Sequence, residues 1–210
     1  MLNISFLTKT PSKEIIITGK LAKTLTNNLL KYEYKDKFSQ LCKDGCPNFG
    51  NKWACPPFSP SFSSYSKNYP YSYLVLLSCN ISEFNYIKQE YMKLKASNSI
   101  LKSRSEKIMR SLENHFNGVM LSNGSCRLCK PCSCKKKLTS CNRPNLMRFS
   151  LESLGLDVSK ISIDLLNHEL LWYKNKRSPE YSTVVSCLLT KDLISEVDLV
   201  TFIKKTCSEI

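Results

Sequence analysis

The sequence predicts an α+β fold: a mainly antiparallel sheet with packed helices and two cysteine-rich metal-binding loops. Three observations carry this. Short β-type runs interleave with helical stretches along the chain without a clean βαβ period. Residues 83–116 repeat apolar side chains at three-, four- and seven-residue steps, the period of a helix face. Two segments, 42–57 and 124–144, are dense in cysteine and punctuated by Gly and Pro, which disfavours helix and strand alike. At 210 residues the chain is long enough for one sizeable core, and a single α+β domain over 1–210 is expected.

Taken in order, Ile4–Leu7 and Glu14–Thr18 read as strands around the turn-prone Pro11-Ser12. An amphipathic helical stretch follows, with Leu29, Leu30, Phe38 and Leu41 expected inward. Tyr73–Ser78 is apolar on both faces, which suits a central strand, and Cys79 ends it. Phe84, Ile87, Tyr91 and Leu94, then Leu101, Ile108, Leu112 and Phe116, predict one long helix or two, broken near Ser97-Asn98-Ser99. Gly118–Leu121 reads as a short strand leading to the second cysteine loop. Beyond it, Asn145–Leu154 is expected helical with Gly155 as its stop, and Val158 to about Glu169 as a second helix. Leu171–Tyr173 and Ser182–Leu189 are expected as closing strands, with Cys187 in the latter. Ser195 and Asp198 form the start signal of a last helix near Val197–Lys204.

Eleven cysteines cannot all pair. With no convincing secretory signal in Met1–Lys13 and no run of 18 apolar residues, they are expected as thiolate ligands in a reducing cytoplasm, without a membrane span. The formal charge of +14 is uneven: Lys88–Lys137 holds twelve Lys and Arg against Glu90, Glu106 and Glu113. Such a surface solvates a helix face and offsets cluster charge, and it invites an anionic partner.

The second constellation places Cys126, Cys129 and Cys132 at steps of three, and Cys141 nine residues beyond Cys132, with Pro131 stiffening the loop. It resembles the C-x2-C-x2-C run of bacterial-type ferredoxins, where a remote cysteine completes a [4Fe–4S] site. No Pro directly follows Cys141; Pro144 comes later. These four are assigned as cluster ligands, with Cys134 the competitor for the third or fourth position. Zinc is the alternative metal, although structural zinc usually takes two separated C-x2-C knuckles. In the first constellation, Cys42, Cys46 and Cys55 lie in a Gly/Pro loop beside Phe49 and Trp53. Three thiols can hold a [4Fe–4S] cluster with one iron open, or take Cys79 as a fourth ligand; structural thiols supporting the other centre are the bland alternative. The spacing differs from the C-x3-C-x2-C of radical enzymes that cleave adenosylmethionine.

Cys42–Pro57, with C-x3-C and Gly-x2-Trp-x-Cys-Pro-Pro, and Gly124–Val158, with C-x2-C-x2-C, Cys-Asn-Arg-Pro and Ser150-Leu151-Glu152-x2-Gly155-Leu156-Asp157-Val158, together resemble a known family. It is an uncharacterised family called predicted metal-binding proteins, found mainly in anaerobic bacteria and archaea. The resemblance implies metal binding and names no reaction. Asn142 departs from the basic residue expected after the cysteine, and Arg143 is the candidate to take over that charge.

Outside the thiols, His115 and His168 sit near helix ends and read as structural, and no phosphate loop or serine nucleophile elbow appears. Ser150, Glu152, Arg143 and Arg148 are expected to support the cluster loop by hydrogen bonds and charge. Three functions follow in rank order. The first is a cytoplasmic protein with one or two [4Fe–4S] clusters serving electron transfer or a reductive step with a redox partner protein. The second is a cluster enzyme whose open iron acts on a small-molecule substrate. The third is a zinc-stabilised module binding nucleic acid, which ranks last because aromatics do not interleave regularly with the basic residues.

Overall fold

The N-terminal chain turns at Pro11-Ser12, where the Thr10 hydroxyl and amide both donate to the Lys13 carbonyl, at 2.6 and 2.9 Å. In this computed structural model, which describes residues 2–209, the turn joins strands β1 (Leu2–Lys9) and β2 (Glu14–Leu25). Ile15, Ile17 and Leu21 of β2 alternate inward, as a half-buried strand requires. Strand β3 (Tyr71–Asn80) pairs with β2 and with β5 (Tyr181–Thr190), and the short β4 (Val119–Leu121) pairs only with β5. The result is a five-stranded antiparallel sheet in the order β1-β2-β3-β5-β4. With helices packed on it, the fold is α+β, as expected.

Strand β3 occupies the middle because it is apolar on both sides. Tyr73, Val75, Leu77 and Cys79 face one layer and Leu74 and Leu76 the other. The first layer contains α3 (Glu90–His115) and α5 (Glu196–Ser208), which bring Leu101, Ile108, Leu112, Leu199 and Ile203 onto the sheet. The second contains the 3-10 turn Thr26–Tyr32, α2 (Phe62–Tyr65) and α4 (Val158–Leu166), with Leu29, Phe62, Leu154 and Ile161 buried. Each fully buried Leu or Ile contributes about 1.5–3 kcal/mol. Among the described residues no helix is long and apolar enough to cross a membrane.

Four local expectations are corrected. The long helix α3 is unbroken at Ser97–Ser99: Ser97 bonds back to the Leu94 carbonyl, Asn98 accepts from Ser182, and Ser105 bonds Ser186. These small polar side chains serve the helix–strand seam instead of competing for the helix backbone. Residues 145–151 are not helical, because the Arg148 guanidinium takes the Asn145 and Met147 carbonyls; helix is confined to the 3-10 turn Glu152–Leu154. No strand forms at 171–173, where Trp172 is 72% exposed. Leu30 and Leu41 are exposed instead of inward: the 3-10 turn Thr26–Tyr32 buries Leu29 and Tyr32 and leaves Leu30 outside, and α1 (Lys35–Gly45) buries no side chain. A polar tie holds α1: Lys35 Nζ donates to Ser59 Oγ at 3.0 Å and to the Ser153 carbonyl at 2.7 Å.

Candidate metal centre

The first cysteine loop leaves the end of α1 as a chain of tight turns. The Cys46, Phe49, Asn51, Cys55 and Phe58 amides donate to carbonyls three or four residues earlier, and Gly50 donates across the loop to Pro56 at 3.0 Å. Local hydrogen bonds therefore answer the backbone demand that a Gly/Pro segment otherwise leaves open. Cys42, expected in the loop, sits half-buried in the last turn of α1, because the helix runs on to Gly45, and the loop itself carries Cys46 half-buried and Cys55 buried. Burial, reinforced by Cys46 nearby, pushes the Cys55 thiol up to about 12. Burial raises Cys42 as well, again with Cys46 and then Glu152 adding to it. These mutual effects put the three thiols in one neighbourhood. Asn48 Nδ2 donates toward Cys46 Sγ at 3.7 Å.

The second loop hangs from β4. Its neck is closed by the Ser122 amide on the Phe149 carbonyl, 2.8 Å, and by a bridge between Ser122 and Ser150. Within it, Cys126, Cys129, Cys132 and Cys141 line a single small pocket of about 10 Å³, which Trp53 and Ala54 of the first loop also line. Two amides address the sulfurs: Leu128 bonds Cys126, and Arg143 donates to Cys141 Sγ at 3.4 Å. Burial raises the Cys126 thiol, and the Leu128 bond opposes that rise. The Lys130–Pro131 and Pro56–Pro57 peptides are cis.

Four hydrogen bonds dock one loop on the other. Lys52 Nζ donates to Ser125 Oγ at 3.0 Å and to the Cys126 carbonyl at 2.7 Å. Trp53 Nε1 donates to Ser133 Oγ at 3.0 Å, and that hydroxyl in turn donates to the Ser140 carbonyl at 2.8 Å. Cys134 Sγ donates to the Gly50 carbonyl at 3.3 Å and does not line the pocket of the other four thiols. Cys79 lies elsewhere again, in the apolar layer under α3 with Phe84 and Leu101. Cys187 and Cys207 are buried in the two apolar layers. Among the described residues, no three His, Cys, Asp or Glu side chains are set to hold a single metal ion.

The supporting residues divide. Arg148 and Arg110 converge on the buried Glu113, which also accepts the Met120 amide at 2.8 Å; this knot ties the loop's exit to α3. Arg148 is thus an anchor of the loop's exit. Ser150 and Ser153 cap one another's amides, at 3.0 and 3.2 Å, so Ser150 stabilises a turn. Glu152 differs. Its Oε2 is buried without a hydrogen-bond partner, and burial pushes its pKa up against the pull of its own amide, Ser150 and Lys102. Lys52 and Ser133 were not legible as site residues, because their partners lie in the opposite loop. His115 stacks on Phe202 at 4.0 Å, and His168 Nε2 meets Thr183 Oγ1 at 2.9 Å; both serve the fold.

Neither the curated proteins nor the solved structures compared with this chain give a match. The family model described as a predicted metal-binding protein (DUF2284) matches residues 28–190, a span that includes both cysteine loops and the sheet strands β3, β4 and β5. With most of its length matched in this way, the chain belongs to the predicted metal-binding protein family.

Proposed function

We propose that the protein is an iron–sulfur protein in which Cys126, Cys129, Cys132 and Cys141 hold a [4Fe–4S] cluster. The observation that carries this is the shared pocket: four thiols at ferredoxin-like spacing line it, while the fifth thiol of the loop, Cys134, is bonded elsewhere. The donor set fits the group, since four soft thiols and amide donors directed at Cys126 and Cys141 suit a thiolate-ligated cluster. A [4Fe–4S] centre supplies one-electron transfer. The chain's own part is to stabilise charge on sulfur through the Leu128 and Arg143 amides, to cover the pocket with Trp53, and to fix the loop through Lys52.

Cys42, Cys46 and Cys55 are proposed as ligands of a second centre. A reading as an enzyme with an open iron at that centre gains from one observation: the Glu152 carboxylate, whose Oε2 is buried without a hydrogen-bond partner, lies close enough to Cys42 to raise its thiol. Iron, sulfide and zinc analysis of anaerobically purified protein tests both readings. Brown protein with about four or about eight irons and equal sulfide per chain is expected. Colourless protein containing zinc alone overturns the proposal. If the first-loop iron is open, added small thiols or sulfide change the visible spectrum of the wild type and leave that of Cys42→Ala unchanged; an inert wild-type spectrum removes the enzyme reading.

A further inference from the structure

A basin of about 310 Å³ opens between α3 and the neck of the second cysteine loop, next to the thiol pocket. Four cations line it, Lys102, Arg110, Arg127 and Arg148, against one carboxylate, Glu106. Two of the four are already engaged. Arg110 is held by Glu106 and Glu113, and Arg148 by Glu113. Lys102 and Arg127 make no ion pair or hydrogen bond among the described residues.

We infer that this basin binds a small molecule through an oxyanion group, a carboxylate or a phosphate, with Lys102 and Arg127 as its charge partners. Lys102 is half-buried on α3, and burial first, then repulsion from Arg127, lowers its pKa against the pull of the buried Glu152 carboxylate. Four cationic side chains against one lining carboxylate leave the basin with a surplus of positive charge, which an incoming anion answers. The backbone adds to the site. Gly124 has φ +127, and a side chain built there would reach within 3.6 Å of the Lys102 ammonium, so the loop passes close over it. The Gly124 and Ser125 amides donate to no acceptor among the described residues, and both residues line the basin. Amides and cations converging on one concavity are the ordinary means of holding an oxyanion.

Cys126 and Leu128 line both the basin and the thiol pocket. A ligand held by its oxyanion at Lys102 therefore lies against the loop that carries the proposed cluster. Its standing as a substrate rests on the iron–sulfur reading; its binding does not.

Isothermal titration of the full protein, as isolated and in low-chloride buffer, with inorganic phosphate, malonate and acetate tests the site. Saturable one-to-one binding of phosphate or malonate is expected, about tenfold weaker in both Lys102→Gln and Arg127→Gln, because each removes a charge-assisted contact. Lys107→Gln, an exposed change on the same helix, is expected to bind like the wild type. Preference for phosphate assigns a phosphorylated ligand, and preference for malonate over acetate a polycarboxylate. No saturable heat with any of the three, wild-type affinity in both variants, or equal weakening in Lys107→Gln overturns the proposal. Arg127 is exposed, so its variant keeps the test valid if Lys102→Gln fails to fold. Metal content measured on the same samples separates loss of this site from failure of the iron–sulfur reading.

Discussion

Cys132 lines the pocket shared by four thiols, whereas Cys134, two residues on, turns its sulfur to the Gly50 carbonyl. Serine can take over that last hydrogen bond, so Cys134→Ser is expected to retain wild-type metal content by elemental analysis. Cys129→Ser and Cys141→Ser are expected to lose most of the metal of the second loop. The C-x2-C-x2-C spacing was legible in the sequence. The separation of Cys134 from Cys141 was not, because it depends on a carbonyl more than eighty residues away in the chain. His168 shows a different residue-level effect. Burial, aided by Lys20, holds its imidazolium below its ordinary pKa, so the folded chain binds fewer protons there than the unfolded chain. Its contribution to stability is present above the unfolded value, about 6.5, and is lost as pH falls through that value toward the lower folded one. The urea midpoint is expected to be lower at about pH 5.5 than at about pH 7.5 in the wild type, and that difference to shrink in His168→Gln.

At the scale of elements, Gly155 ends the Glu152–Leu154 turn with φ +95, and a side chain there would meet the Lys35 backbone at 2.6 Å. The sequence marked this glycine as a stop. The close pass of α1 was invisible, since it brings together residues 120 positions apart. Gly155→Ala is therefore expected to destabilise by about 2 kcal/mol or more, from left-handed backbone strain plus the clash, as read by urea denaturation. The helical period of 83–116 was likewise legible, while its apparent break was not a break, because Ser97, Asn98 and Ser105 find uses against β5 and the helix backbone. Between the loops, Trp53→Phe keeps an aromatic against Phe58, 4.7 Å away between ring centroids, and removes the donor to Ser133. Faster amide exchange over residues 126–134, with exchange in β3 unchanged, is the expected outcome.

For the whole molecule, the core and the cysteine loops are separate constructions. The apolar layers on the two faces of the sheet include none of the seven proposed ligands. Metal removal by an iron chelator under anaerobic conditions is thus expected to leave the far-UV circular dichroism nearly intact and to raise exchange mainly in 46–61 and 122–149. Cooperative loss of the β signal would instead make the metal part of the fold. The central place of β3 was legible from its two apolar faces. The strand order was not, because β3 pairs with β5 across about a hundred residues, and no local pattern encodes that partner.

The bonds from Lys52 and Trp53 to Ser125, Cys126 and Ser133 join points more than seventy residues apart, with β3 and α3 between them. Each loop is local and can gather its own thiols early, but the two can meet only after the sheet has brought β4 beside β5. Closing so long a stretch of chain costs entropy that the sheet must first offset. Assembly is accordingly expected to run strands first and loop docking last, with protection in β3 and β5 preceding protection in 126–134 in pulse-labelled amide exchange during refolding.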